Sequence, residues 1–320
     1  MMATHRFCMF GRSVLIPIML SGCAAFNQTH DEVVVREAGE RVLGTPFPAA
    51  GEAVKHWEYA WLADVAYAHA ADGESKDICT ATSADKVLAA HKWQRWKNFP
   101  APGGELDRQM REIHLRAEVW EQVESKRVVV TFGGTDFTNN YDWRSNLRWV
   151  TFKIDDEYTR LVKDFAPGFV KELADRSRSE HGQWLKGARL ISTGHSLGGG
   201  LAQQFAYALP LSTPLKLTHV YAFDPSPVTG YYSVDADIRK ENVKGLSIDR
   251  IYERGEILAL LRSFTSLFVK PSSIDPTIRG VRYSLLSGGT AVANHSMHNF
   301  ACAIQKVSGE GVAELEQASR

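Results

Sequence analysis

Apolar positions along the chain recur at two spacings, which predict an alternation of helices and strands. The first predicted helix spans 56–68, where residues at helical spacing form one apolar stripe: Trp57, Ala60, Trp61, Val65 and Ala66. Segment 111–120 alternates in polarity and segment 127–132 is β-branched, so together they predict a hairpin.

Further along the chain, helical patterns, clearest over 155–176, are separated by short apolar runs. These runs predict strands over 189–193, 217–223, 246–252 and 281–286. Strands that alternate with helices indicate a mainly parallel sheet covered by helices on both faces. The predicted fold class is therefore α/β.

The N-terminal segment has a different pattern. Arg6 and Arg12 precede an apolar run over 13–20. This pattern is typical of a secretory signal peptide, and the run is too short to span a bilayer. The run ends in Leu20-Ser21-Gly22-Cys23, which resembles the lipobox of bacterial lipoproteins. That resemblance implies a signal peptide over 1–22, a lipid on Cys23 and, in a Gram-negative organism, export to the outer membrane. An ordinary signal peptide with a chance cysteine is the alternative.

The rest of the chain divides into two parts. Residues 23–53 are largely polar with scattered Gly and Pro, as expected of a tether. Residues 54–320 are long enough to bury one large core and are predicted to form one domain.

Composition narrows the classes of partner. Basic and acidic residues number 37 each, so the formal charge is zero, and without long runs of one sign we expect no nucleic-acid partner. Of the four cysteines, Cys8 would leave with the signal peptide and Cys23 would carry the lipid, so Cys79 and Cys302 remain. The sequence leaves open whether these two pair. The spacing of Cys and His suggests no metal site.

The segment around Ser196 carries the clearest chemical signal. A strand-like run enters Gly194-His195-Ser196-Leu197-Gly198, and a stretch of small residues follows. This order matches a nucleophile elbow, in which serine sits on a strained turn flanked by glycines. Leu197 would open the helix and offer its N–H to a developing oxyanion. A glycine-rich turn that happens to hold a serine is the alternative.

A serine nucleophile needs a base, and the base needs an orienting acid. Downstream of Ser196, His295 is the favoured base because it lies in the loop after the last predicted strand, and His298 is the runner-up. Glu256 is the favoured acid, after the strand 246–252, and Asp224 at the end of the preceding strand is the runner-up.

A second oxyanion donor is expected after an earlier strand. The run 128–132 leads into Gly133-Gly134-Thr135, so the backbone N–H and hydroxyl of Thr135 are candidates. A simple tight turn at the two glycines is the alternative.

Several separated motifs resemble the class 3, fungal-type lipase family of the α/β-hydrolase superfamily, across residues 56 to 302. The segments that carry the resemblance are Ala66-Tyr67, Phe132-Gly133-Gly134-Thr135, Asp142-Trp143 with Asn146-Leu147, Gly194–Gly199, Phe223–Gly230, Tyr252–Leu258, and His295 with Phe300. The chain departs from the family pattern at three places. Gly133 stands where the family usually has Arg, Glu256 stands where it usually has Asp, and the strand end at Asp224 contains one extra residue. The resemblance implies hydrolysis of glycerolipid esters through an acyl-enzyme, with no metal and no cofactor.

The expected function is therefore that of a triacylglycerol lipase or phospholipase A, with a lipid or other acyl ester as substrate. The expected second partner is a membrane, which the chain would contact through its N-terminal lipid anchor. Ser196, Glu256 and His295 form the expected triad. One alternative is a short-chain esterase or thioesterase with the same triad. Another is a lipoprotein module that keeps the hydrolase fold without turnover. The oligomeric state stays open.

Overall fold

The structure, a computed structural model, describes residues 33–36, 46–47, 49–67, 82–134, 157–255, 276–286 and 293–310. The strands in these ranges are β1 (Val33–Arg36), β2 (Pro46–Phe47), β3 (Gln94–Arg95), β4 (Ala117–Gln122), β5 (Arg127–Phe132), β6 (Arg189–His195), β7 (Leu217–Phe223), β8 (Ser247–Glu253) and β9 (Thr277–Tyr283). The α-helices there are α1 (Ala49–Val65), α2 (Ala84–Ala90), α3 (Glu105–Glu112), α4 (Ala166–Arg178), α5 (Leu197–Ala208), α6 (Ala236–Asn242) and α7 (Met297–Ser308).

Hydrogen bonds among the described strands order one sheet as β2-β1-β9-β8-β7-β6-β5-β4-β3. Neighbouring strands from β5 to β9 pair in parallel. Strands β4 and β3 extend one side antiparallel, and β1 and β2 extend the other side in the same way. The sheet is thus mixed with a parallel centre, as predicted.

Strand β5 shows why helices lie on both faces. Val128 and Val130 point into a core with α4 and α5, whereas Val129 between them points into a second core with α1 and α7. All three side chains are fully buried. Because both faces are covered, the strand is continuously apolar instead of alternating. The predicted fold class, an α/β-hydrolase fold with a mainly parallel sheet between helices, is confirmed.

The N-terminal boundary differs from the prediction. The segment predicted as a tether, 23–53, contains β1, β2 and the first residues of α1. Strand β1 pairs with β9 on one side and with β2, the outermost strand, on the other. The run Val33-Val34-Val35 is β-branched and favours a strand, but it is short and has polar neighbours. The sheet therefore begins before residue 54.

The predicted strand over 111–120 is also revised. Helix α3 occupies its first residues, and the strand begins only at Ala117. Within α3, Arg111 pairs with Asp107 and Arg108 pairs with Glu105, and such pairs one turn apart favour a helix. The predicted hairpin is present, because β4 pairs antiparallel with β5.

Cys302 lies buried on α7 and is disulfide-bonded, while its partner lies outside the described residues. Pairing with Cys79, which also lies outside them, stays a prediction. No helix within the described part of the chain is both long and apolar enough to cross a membrane.

Candidate active site

Ser196 lies between β6, which ends at His195, and α5, which begins at Leu197. Its φ of 56° and ψ of −122° form a conformation that residues other than glycine rarely adopt. Its N–H donates to the Phe223 carbonyl at 3.0 Å, and its carbonyl accepts from the Ser226 N–H at 2.9 Å. These bonds to the end of β7 hold the strained turn at the carboxyl edge of the sheet.

Two glycines allow this turn to form. A Cβ atom on Gly194 would lie 2.4 Å from the Gly198 carbonyl oxygen, and one on Gly198 would lie 2.1 Å from the Phe132 carbonyl oxygen. Both neighbours are backbone atoms, which cannot rotate away as a side chain can. The strand, the turn and the helix around Ser196 therefore have the geometry of a nucleophile elbow.

Asp224 follows directly after β7 at the same edge of the sheet. Its N–H donates to the Ile251 carbonyl at 2.7 Å, and its Oδ1 accepts from the Glu253 N–H at 3.0 Å. The residue is fully buried and has a φ of +38°, so the backbone is held in an uncommon conformation. Two bonds to β8 thus fix the position of this carboxylate.

Asp224 lies in a cluster with two histidines. One nitrogen or oxygen atom from each of His195, Asp224 and His295 lies within 4.8 Å of the other two. The rings of His195 and His295 are 4.5 Å apart between centroids and tilted by 46°. His195 is buried, whereas His295, on the 3-10 turn that precedes α7, is partly exposed. The carboxylate at the end of β7 is therefore close to the favoured base.

Tyr67 contacts this cluster from the end of α1. Its hydroxyl lies 2.7 Å from His195 Nδ1 and donates to the His195 carbonyl at 3.1 Å. A Cβ atom on Gly134 would lie 2.2 Å from the same hydroxyl. Tyr67 therefore joins the elbow to the glycine pair that follows β5.

The runner-up base is placed elsewhere. His298 Nδ1 lies 2.9 Å from the Asp64 carboxylate of α1, and its ring packs edge-on against Trp61. His219, the other histidine downstream of Ser196, stacks on Tyr221 of β7. Neither belongs to the cluster around Asp224, so the geometry favours His295.

Glu253 is the last residue of β8, and its carboxylate holds a backbone segment. The Glu253 carboxylate is buried and accepts from the N–H groups of Leu285 and Leu286 at 3.0 to 3.2 Å. Glu256, the acid favoured from the sequence, lies outside the described residues. Among the described residues, the structure brings the carboxylate of Asp224 beside His295.

Of the two candidate oxyanion donors, Leu197 and Thr135, the structure describes Leu197. Leu197 is the first residue of α5, and the N–H groups of a first helical turn have no intrahelical acceptor. Thr135 lies outside the described residues. Gly134, the residue before Thr135, lies close to the elbow, since a Cβ atom added to it would be 2.9 Å from the His195 carbonyl oxygen.

Sequence reasoning assigned no role to His195 or Tyr67. His195 was visible as the residue before Ser196, but nothing local showed that its ring would contact that of His295. Tyr67 precedes His195 by 128 residues, and only the packing of α1 on β6 brings them together. Both contacts depend on tertiary structure.

Comparison with known proteins gives structural likeness alone. No family model and no curated protein sequence matches the chain. Its structure is similar to that of lipase II from Rhizopus niveus, with a TM-score of 0.42, 17% identity, and 72% of this chain and 79% of that one covered. Triacylglyceride lipase from Rhizomucor miehei gives a TM-score of 0.43 at 14% identity, with 82% and 99% covered. A lipase from Rhizopus microsporus var. chinensis gives 0.43 at 19%, with 67% and 71% covered.

Proposed function

We propose that the chain is a serine hydrolase that cleaves carboxylic esters through an acyl-enzyme on Ser196. The strained conformation of Ser196 between β6 and α5, at φ 56° and ψ −122°, carries the proposal. A backbone strain of about 1–3 kcal/mol persists only where surrounding contacts impose it, and such strain is concentrated at functional sites. A structural serine needs no such conformation.

In this proposal His295 is the general base and Asp224 the acid that orients it. As Ser196 Oγ attacks the ester carbonyl carbon, its proton passes to a ring nitrogen of His295. The buried carboxylate of Asp224 stabilises the imidazolium that results. His295 then gives the proton to the leaving alcohol oxygen, and the acyl group stays on Ser196.

Water completes the reaction. His295 takes a proton from a water molecule as its oxygen attacks the acyl carbon, and the bond to Ser196 Oγ breaks as that oxygen regains a proton. The N–H of Leu197 and, after the glycine pair, Thr135 are the proposed donors to the negatively charged oxygen in both steps. Loss of one such donor lowers kcat by about 10²–10³-fold.

The proposed substrate is a lipid ester of the triacylglycerol or phospholipid class. The resemblance of the sequence motifs to the class 3 lipase family supports this substrate class. Hydrolysis of short acyl esters or thioesters would use the same catalytic residues. The preferred acyl chain length of the substrate therefore distinguishes the two substrate classes.

We propose Cys23 as the site of lipid attachment and a membrane, in a Gram-negative host the outer membrane, as the location. A lipobox-like segment before Cys23 supports this. Several acyl chains anchor a protein stably where a single one does not. Cys23→Ser should move the chain from the membrane fraction to the soluble fraction after cell lysis. Retention of the variant in the membrane fraction would argue against the lipid anchor.

The activity is tested with the full chain in detergent and a fluorophosphonate probe. We expect the probe to label the wild-type chain, and Ser196→Ala to lose both labelling and turnover of p-nitrophenyl esters. Ser226→Ala, at a nearby serine, is the matched control and should keep both. A folded wild-type chain that neither reacts with the probe nor hydrolyses any ester would leave the non-catalytic module as the function.

The same assay, run from acetate to palmitate esters, separates the substrate classes. An optimum at long chains supports a lipase or phospholipase. An optimum at two to four carbons, taken as a rough division, would instead show a short-chain esterase.

A further inference from the structure

The residues beside Ser196 have the composition of a metal site as well as that of a triad. Two imidazoles and one carboxylate converge, with one donor atom from each within 4.8 Å of the others: His195, Asp224 and His295. Two histidines and a carboxylate suit zinc and related divalent ions. The sequence did not reveal the set, because its members lie on three separate loops and strand ends.

We infer that His195, Asp224 and His295 bind one divalent ion of the zinc class, and that this ion blocks ester hydrolysis by occupying His295. The inference rests on the proposed role of His295 as the base. A neutral imidazole that binds metal through one nitrogen carries its proton on the other, so neither nitrogen of His295 can accept the proton of Ser196.

The spacing of the three donors is close to that of a tetrahedral site. Zinc binds imidazole nitrogen and carboxylate oxygen at about 2.0–2.2 Å, which places neighbouring ligands about 3.4 Å apart. The donors lie within 4.8 Å of one another, at most about 1.4 Å beyond that spacing, so they move closer together when the ion binds. A fourth position is left for water or for an oxygen of the substrate.

The groups behind these donors are also those expected of a metal site. Ligating histidines are usually oriented by a partner on the second ring nitrogen, and ligating carboxylates are themselves hydrogen-bonded. The Tyr67 hydroxyl lies 2.7 Å from His195 Nδ1, which directs Nε2 as the donor atom. The Glu253 N–H holds Asp224 Oδ1 at 3.0 Å.

Burial separates this cluster from an ordinary surface pair. His195 is 3% exposed and Asp224 is fully buried, so neither side chain needs to be ordered when the ion arrives. His295 is partly exposed and offers the route of approach. The cluster is therefore preorganised, with one accessible ligand.

The test measures zinc binding by calorimetry on the full chain in detergent, after treatment with a chelator. The Ser196→Ala background removes turnover, so that binding is measured without it. We expect one zinc ion per chain, and an affinity at least about tenfold lower in His195→Gln. His298→Gln is the matched control, since His298 pairs with Asp64 outside the cluster, and it should bind zinc as the parent does. Equal affinity in His195→Gln and the parent would overturn the inference.

A second measurement needs no substitution. Zinc should protect His295 from modification by diethyl pyrocarbonate, read by mass spectrometry, and should leave the partly exposed His219 and His298 reactive. Hydrolysis by the wild-type chain should fall with zinc and return with chelator. If the chain hydrolyses esters but binds no zinc, the metal site is refuted and the hydrolase stands. If it binds zinc at His295 but hydrolyses nothing, the metal site stands and its inhibitory role fails with the proposed function.

Discussion

The carboxylate of Asp224 accepts a hydrogen bond of 3.0 Å from the backbone N–H of Glu253, which ties the end of β7 to the end of β8. The Glu253 side chain is directed elsewhere and accepts from the N–H groups of Leu285 and Leu286. The two buried carboxylates, at the ends of neighbouring strands, therefore make different contacts. Glu253 holds a backbone segment, and Asp224 lies beside His295.

Replacement of Asp224 by Asn tests its role as the acid. The amide keeps the shape of the side chain but cannot stabilise an imidazolium, and it favours the wrong histidine tautomer. We expect kcat to fall by about 10³–10⁴-fold with little change in KM. Steady-state hydrolysis of a p-nitrophenyl ester measures both constants.

Glu256→Gln is the matched comparison for that substitution. If Asp224 is the acid, the glutamine variant should keep kcat within about tenfold of the wild type, a small loss beside that of a triad member. If Glu256→Gln shows the larger loss of kcat, Glu256 is the acid, as the sequence motif indicates, and Asp224 is not.

Gly198→Ala tests the close packing under the elbow. The added Cβ would lie 2.1 Å from the Phe132 carbonyl oxygen, and relief requires the backbone of β5 or α5 to shift. Overpacking of this kind costs about 1–3 kcal/mol of unfolding free energy. We expect that loss in urea denaturation, together with reduced fluorophosphonate labelling because the nucleophile moves.

Gly51→Ala is the control for Gly198→Ala. Gly51 lies in α1, is exposed, and a Cβ there would meet no atom within 4 Å. Alanine in a helix is more favourable than glycine by about 0.5–1 kcal/mol. A Gly198→Ala variant as stable as Gly51→Ala would show that the backbone contact at Phe132 does not restrict the elbow.

The part of the site that could be predicted from sequence is the part that depends on local spacing. The strand, Gly194, Ser196 and Gly198 lie within a few residues, so one short motif determines their geometry. The parallel centre of the sheet could be anticipated in the same way, because the apolar runs alternate with helical patterns and β5 is apolar on both faces.

The choice of acid could not be made in this way. Sequence order offered carboxylates after two strands, and the carboxyl ends of neighbouring parallel strands meet at the same edge of a sheet. Only the backbone path, with Asp224 at φ +38° and bonded to β8, brings that carboxylate next to His295. The contact of Tyr67 with His195 likewise depends on how α1 packs against β6.

A second buried polar network predicts how stability depends on pH. His56 of α1 is fully buried and bonds to Asp249 of β8 and Tyr283 of β9, while Glu52 and Arg279 lie nearby. Burial lowers the pKa of His56 below its ordinary value of 6.5, although the Asp249 carboxylate opposes the shift. The unfolded chain therefore binds more protons just below pH 6.5, and the unfolding free energy falls as the pH falls.

The contribution of His56 is isolated by the difference between the wild type and His56→Gln. One proton per molecule gives a slope of at most about 1.4 kcal/mol per pH unit. We expect the wild type to lose stability more steeply than His56→Gln between pH 6.5 and 5, measured by urea denaturation at each pH. Parallel curves would show that His56 is not held neutral by burial.

Asp249→Asn tests the same network at its centre. The carboxylate is 1% exposed and bonds to His56 at 3.2 Å and Arg279 at 3.0 Å. Removing one partner of a buried ion pair leaves the other charge poorly compensated, at a cost of about 3–5 kcal/mol. Glu105→Gln, in an exposed pair, should cost at most about 1 kcal/mol. If urea denaturation gives similar losses for both variants, Glu52 alone suffices to compensate Arg279, and Asp249 does not hold α1 onto the sheet.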